Sequence, residues 1–172
     1  MSSGPQPEVQ KPYQGSRLRA LILFFATGAY SGYAPVASGT VGSLVALPLI
    51  FLSAHLLHVS PILHVVALVL AIAAACWVAG AAEQYLGEHD SGKIVVDEIV
   101  GFLTATALLE VTPIRLAAAF FLFRLFDILK PPPARYFDQQ VPGGVGVVLD
   151  DVCAGIYTNL IVRGFLFVRA FL

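Results

Sequence analysis

Between Arg124 and Gly155 the chain reads R-L-F-D-I-L-K-P-P-P-A-R-Y-F-D-Q-Q-V-P-G-G-V-G-V-V-L-D-D-V-C-A-G. Arg124 and Lys130 stand three residues either side of Asp127, so both could grip an anion beside a metal held there. Gly143, Gly144 and Gly146 leave backbone N–H groups open just ahead of the pair Asp150-Asp151. A second acidic pair, Asp97-Glu98, lies upstream and follows His89 by a few residues. Acids that hold a divalent cation, bases that hold an anion and uncovered N–H groups together point to phosphate chemistry.

Phosphoryl transfer needs charge neutralised on the non-bridging oxygens and an activated nucleophile. A hard cation such as Mg²⁺ prefers oxygen ligands and polarises the waters it keeps. Asp97, Glu98, Asp127, Asp150 and Asp151 are the carboxylates best placed to hold it. Each has a plainer reading: Arg124 and Asp127 form an i,i+3 helix pair, and Asp150 or Asp151 caps a helix. Together, in a chain so poor in charge, they favour a site. Rival phosphatase chemistries are missing. Neither Cys76 nor Cys153 begins a Cys-x5-Arg loop, and no D-x-D-x-[TV], Gly-Lys-Ser/Thr or G-x-S-x-G motif occurs. His89 is the sole histidine near the acidic pairs, so a two-histidine relay cannot be built.

The elements that must position these groups belong to a membrane protein. Charged residues make up 12% of the 172 and hydrophobic ones 58%, against about 25% and 45–50% in soluble domains. Mean hydropathy is +0.81. No formal charge occurs from Ala20 through Ala82, a length over which a solvated helix face would carry Lys and Glu. Nine of the eleven acids fall within Glu83–Glu98 and Asp127–Asp151, which places them at a membrane face or in a wet cavity. A net charge of −1 gives no general attraction for nucleic acid. The two cysteines read as buried thiols rather than a disulfide.

Residues 1–16 read as a disordered tail, and residues 17–172 as one helical domain. Lys11, Arg17 and Arg19 place the N-terminus in the cytoplasm. The run Ala20–Ala29 is short and reads as an interfacial or re-entrant helix. Next, Ser38, Thr40 and Ser43 are N-cap candidates in a Gly-rich loop; either they cap a helix, or the loop with Gly39 cradles an anion. Leu44–Val59 and Ile62–Tyr85 form a helical hairpin bent at Ser60-Pro61. His55, His58 and His64 gather at its far turn, better explained as interfacial polar residues than as a metal site. In helical spacing, Asp90 and Asp97 share a face ahead of the apolar run Ile99–Leu109. Val111-Thr112-Pro113 turns the chain into Ile114–Phe126, and Val152–Leu172 forms the last helix. Arg163 and Arg169 in that helix face a groove or the far headgroups. Counting crossings from a cytoplasmic start brings segments 33–43, 88–98 and 124–151 out on one side. The fold class is all-α: a multi-helix membrane-embedded bundle with short or re-entrant helices and an extended Gly/Pro-rich loop.

S-G-T-V-G-S at 38–43, H-D-S-G-K-I-V-V-D-E at 89–98, F-R-L-F-D-I-L-K-P at 123–131 and F-D-x5-G-G-x-G-x3-D-D-x2-A-G at 137–155 occur in this order. In them the chain resembles the phosphatidylglycerophosphatase A family of bacterial membrane lipid phosphatases, over roughly Thr27 to Asn159. The resemblance implies an all-helical core and Mg²⁺-dependent hydrolysis of phosphatidylglycerophosphate to phosphatidylglycerol and inorganic phosphate. It further implies a multi-pass protein of the bacterial inner membrane with its site facing the cytoplasm. Carried onto these positions, the family pattern implies a metal held among Asp97, Glu98, Asp127, Asp150 and Asp151. Substrate contacts would come from Gly39, Thr40, Ser43, Arg124, Lys130, Gly143 and Gly144. Asp97, Asp151 and His89 would serve the chemistry, with Asp151 or His89 as the base. Ser38 stands where the family often has Pro, and Val96 where Trp is common. These departures touch loop shape and remove no charged group.

Two other readings use the same residues. A transporter or ion-binding protein would employ the carboxylates as a translocation site, since broken helices often bind ions. It predicts charges at helix centres, whereas these sit at expected helix ends. A non-catalytic scaffold would use the G-A-Y-S-G spacing at 28–32 for helix contact, but gives the acids no purpose.

Overall fold

The computed structural model describes residues 15–171, which form eight α-helices and one short 3₁₀ turn, with no strand among them. Residues 1–14 of the expected tail lie outside the described residues, and Ser16 already opens the first helix, α1 (Ser16–Ala26). After the 3₁₀ turn at Ser31–Tyr33 come α2 (Ser38–Val45) and α3 (Leu47–Val59), nearly continuous. Pro48 at the start of α3 has no N–H to donate back into α2, which separates the two. Ser60 caps α4 (Pro61–Leu86), its hydroxyl accepting from Leu63 N, with Pro61 in the first turn. Gly87, at φ +70°, ends it. Then follow α5 (Val96–Ala105), α6 (Pro113–Leu129), α7 (Ala134–Gln140) and α8 (Gly144–Ala170).

Three stretches are long and apolar enough to cross a membrane: Ser38–Val59, Pro61–Leu86 and Gly144–Ala170. Of the apolar windows, only 17% of α4 is buried in the protein, against 56% of α8. The fourth helix therefore turns Trp77, Val69 and Leu70 outward, as lipid but not water would favour, while α8 runs through the middle. Helix α5 is shorter, at ten residues and about 15 Å. Eight of those residues are buried. It packs on α8, α4, α6 and α2 and is the centre of the bundle. Phe102 and Phe123 stack between α5 and α6 with ring centroids 5.8 Å apart, beside Leu103, Ala119 and Ala154. A second apolar cluster joins α1, α4 and α8 through Ile22, Ala79 and Val148.

Several local expectations change. The last helix begins at Gly144 rather than Val152, so Asp150 and Asp151 lie two turns inside it and cap nothing. Ser38 is the first helical residue of α2, and Ala37 precedes it without a side-chain cap. The hydroxyl of Ser38 instead donates to Gly92 O, and that of Ser43 back to Gly39 O. Residues 88–95 are turns, so Asp90 and Asp97 share no helix face; Asp90 is exposed at φ +48°. The Gly/Pro-rich connection contains a helix of its own, α7.

Candidate active site

The first turn of α5 carries Asp97 and Glu98, and the second turn of α8 carries Asp151. These three carboxylates each offer an oxygen, all within 4.8 Å of one another. Asp97 and Asp151 are buried, and the Glu98 side chain is 16% exposed. Asp97 Oδ1, Glu98 Oε2 and Asp151 Oδ2 lack any hydrogen-bond partner. Burial pushes the Asp97 carboxyl well above its ordinary range, and the neighbouring charges of Glu98 and Asp151 push it further. Burial also raises Glu98; Asp127 adds to this, while Arg124 and contacts with Asp97 oppose it. Crowding bare acids in a low-dielectric interior is costly unless a positive charge joins them. The donor set is three hard oxygens with free lone pairs, and it fits Mg²⁺ or a similar divalent cation.

Why the acids meet is visible one helical turn below them. Gly101 follows Asp97 by four residues, and Gly155 follows Asp151 by four, so each glycine lies under its acid. A Cβ on Gly155 would stand 2.3 Å from Gly101 O, and one on Gly101 would stand 2.9 Å from Asp151 O. Only bare backbone lets α5 and α8 cross this closely. The repeated D-x3-G spacing was legible in the sequence, although its geometric purpose was not.

Helix α6 supplies the bases. Arg124 Nη1 lies 2.7 Å from Asp127 Oδ2 and 3.9 Å from Glu98 Oε1, with no well-directed acceptor for its N–H groups. Asp127 stands close enough to Asp151 to act on it electrostatically. Lys130 ends α6 in a left-handed conformation, and its Nζ bonds Asp138 and, at 2.7 Å, Asp150. Burial draws the Lys130 pKa down, but the two acids more than reverse this and leave it raised. Lys130 thus pairs with Asp138 and Asp150 beside the trio.

The remaining expected residues divide. Gly39 in α2 faces the site: a Cβ there would lie 2.1 Å from Glu98 Oε1 and 3.0 Å from Arg124 Nη1. Thr40 is half-buried next to it. Ser43 is buried with its hydroxyl committed to Gly39 O. Gly143, at φ +72°, leads into α8, but Gly144 is filled by protein, since a Cβ would stand 2.2 Å from both Cys76 O and Gly80 N. Gly144 seats α8 on α4 by direct backbone contact. His89 is largely exposed and pairs with Glu83, not with the trio. Of the far-turn histidines, His64 is buried and spent on Ser53 O and Leu108 N, while His55 and His58 are exposed. The three polar segments do converge, as the crossing count required.

Sequence reading missed the clamp at the other end of α5. Asn159 Nδ2 donates to Ala105 O and Ala107 O, at 3.0 and 2.9 Å. Arg163 Nη2 donates to Ala107 O and Leu108 O, and its Nε to Asn159 Oδ1. These α8 side chains take up carbonyls that the end of α5 leaves unpaired. An arginine one turn after an asparagine in an apolar helix was the available signal.

Comparison with known proteins agrees with the motifs. The family model described as Phosphatidylglycerophosphatase A matches residues 24–166. A relative of that name from Haemophilus influenzae is 40% identical over 142 residues, covering 82% of this chain and 86% of its own. One from Escherichia coli is 37% identical, covering 76% and 75%. A relative from Bacteroides thetaiotaomicron, provisionally named a phosphatidylinositol-3-phosphatase, is 38% identical over 83% of this chain and 91% of its own. No solved structure matches the chain.

Proposed function

The chain belongs to the phosphatidylglycerophosphatase A family, and on that premise we propose that it hydrolyses phosphatidylglycerophosphate to phosphatidylglycerol and inorganic phosphate at the cytoplasmic face of the inner membrane. One observation carries the reading: three buried carboxylates from two helices converge with an unpartnered oxygen on each. Asp97, Glu98 and Asp151 would hold Mg²⁺, which neutralises phosphoryl oxygens and activates water when bound. Asp127 supports the set from the side, and Asp150 is held in place by Lys130.

Arg124 orients the terminal phosphate, with Gly39 and Thr40 forming the wall opposite. The missing side chain at Gly39 lets α2 pack directly against Glu98 and Arg124. Asp151 takes the proton of the attacking water as its oxygen bonds to phosphorus. The bond from phosphorus to the glycerol oxygen breaks, and that oxygen leaves as the lipid alcohol by taking up the proton that Asp151 received. We give the base to Asp151 over His89 because Glu83 holds His89 at the surface. The apolar outer faces of α3 and α4 support a bilayer setting in which the acyl chains stay in lipid. Lys11, Arg17 and Arg19 support the cytoplasmic side.

The Bacteroides relative motivates one competing headgroup, a phosphoinositide. The test measures phosphate released by the purified protein from phosphatidylglycerophosphate, phosphatidylinositol 3-phosphate and glycerol 3-phosphate, with Mg²⁺ or with EDTA. Fast release from the first alone, abolished by EDTA, is the expected result. Preferential release from the inositol lipid, or release indifferent to EDTA, overturns the substrate or the metal respectively.

A further inference from the structure

At the end of the bundle away from the acids, α6 and α8 part to leave a cavity of about 410 Å³. This volume is within the roughly 300–1,000 Å³ of small-molecule sites. Its walls are apolar, formed among others by Ala118, Leu122, Ile161 and Phe165, and its polar contribution includes Arg115 and Arg169. An apolar slot between membrane helices takes an acyl chain of any lipid. The two guanidiniums make this one selective.

Their availability separates them from Arg163, whose donors are spent on the α5 clamp. Among the described residues, Arg115 commits Nη1 to Glu110 and bonds nothing through its other nitrogens, and Arg169 makes no ion pair or hydrogen bond. Thr112, the cap of α6, also lines the slot, so the positive end of that helix dipole faces the same space. Long basic side chains at a helix end reach to headgroup level while their stems stay in lipid. The arrangement is therefore an acyl-chain slot topped by two guanidiniums, Arg115 held by Glu110 and Arg169 without a partner among the described residues.

We propose that the α6–α8 groove binds a phospholipid with an anionic headgroup, one acyl chain in the slot and the phosphate at Arg115 and Arg169. This lipid is not substrate on its way to the acids. Arg169 lies eighteen residues beyond Asp151 on one helix, roughly 27 Å along its axis, close to the thickness of a bilayer core. The headgroup bound there belongs to the opposite leaflet.

The test titrates the purified protein in detergent with dioleoyl phosphatidylglycerol or dioleoyl phosphatidylcholine and counts bound lipid by native mass spectrometry. Phosphatidylglycerol is also the expected product, so the titration is repeated on Asp97→Asn to remove binding at the acids. The anionic lipid is expected to bind about fivefold more tightly per engaged arginine. Arg169→Gln should reduce that preference by about the same factor, and Ala118→Phe, at an exposed position, should weaken both lipids by filling the slot. Phosphate release should be unchanged in both variants. Equal binding of the two lipids, a preference undiminished by Arg169→Gln, or binding indifferent to Ala118→Phe would each overturn the proposal and leave only annular lipid. Ala118→Phe decides the matter should Arg169→Gln melt early.

Discussion

Gly155 of α8 touches Gly101 of α5 backbone to backbone, with space for no more than a hydrogen between them. The contact lies one turn below Asp151 and Asp97, so it sets the separation of the two acids. Gly155→Ala would place its methyl 2.3 Å from a carbonyl oxygen that cannot move aside. The helices must separate, at a cost of about 1–3 kcal/mol for overpacking. Phosphate release should fall far more than stability does, by about a hundredfold for a displacement near 1 Å. Thermal unfolding and phosphate release measured on the same preparation check this; a stable variant with parental activity would remove the crossing from the account of the site.

Asp97 should show the opposite relation between stability and activity. In the absence of a cation, its buried carboxylate crowds Glu98 and Asp151 without a compensating hydrogen bond to Oδ1. Asp97→Asn removes one of the mutually repelling charges and keeps the volume. The metal-free variant should melt higher than the parent, while phosphate release drops by about a hundredfold or more. Mg²⁺ should raise the melting temperature of the parent and leave that of Asp97→Asn nearly unchanged. A variant as responsive to Mg²⁺ as the parent would exclude Asp97 from the ligand set.

The sequence disclosed the acids and bases and their order, because charge is so rare in this chain that each Asp stands out. It disclosed the α3–α4 hairpin, since Ser60-Pro61 is a local signal that acts within a turn of where it lies. Local signals were silent on the start of α8. Gly143, Gly144 and Gly146 read as a loop by propensity, yet tertiary packing against Gly80, Val141 and Phe137 makes that same bareness a helix contact. The α5 clamp was hidden for a related reason: Asn159 and Arg163 reach carbonyls more than fifty residues away. The spacing of Asn159 and Arg163 along α8 marks a polar pair but does not record such a partner.

Arg163 illustrates the consequence. Its guanidinium bonds two carbonyls at the end of α5 and the side chain of Asn159. Arg163→Ala should cost about 2–4 kcal/mol, since the bonds are charge-assisted and Leu108 O loses its side-chain donor while Ala107 O keeps only Asn159. Arg163→Lys should recover only part, because one ammonium cannot reproduce the planar fork. Thermal unfolding of the three proteins checks the order, parent above Lys above Ala; an Ala variant as stable as the parent would dismiss the clamp.

Lys130 tests the second charge cluster. Its ammonium is shared by Asp138 and Asp150, and removing it strands two acids, one of them buried. Lys130→Met should therefore destabilise by about 3–5 kcal/mol, the range for breaking a buried pair on one side. Pairing it with Asp150→Asn should return part of that loss, since less uncompensated charge remains; the non-additivity is the signature of direct coupling. The pH dependence follows from the direction of the shift. A lysine whose pKa rises on folding contributes stability that is complete below its unfolded value, about 10.4, and that fades only as pH climbs through the folded value. The Lys130 contribution should thus be flat from about pH 8 to 9, and a melting-temperature difference between parent and Lys130→Met that shrank across that interval would place the lysine outside this triad.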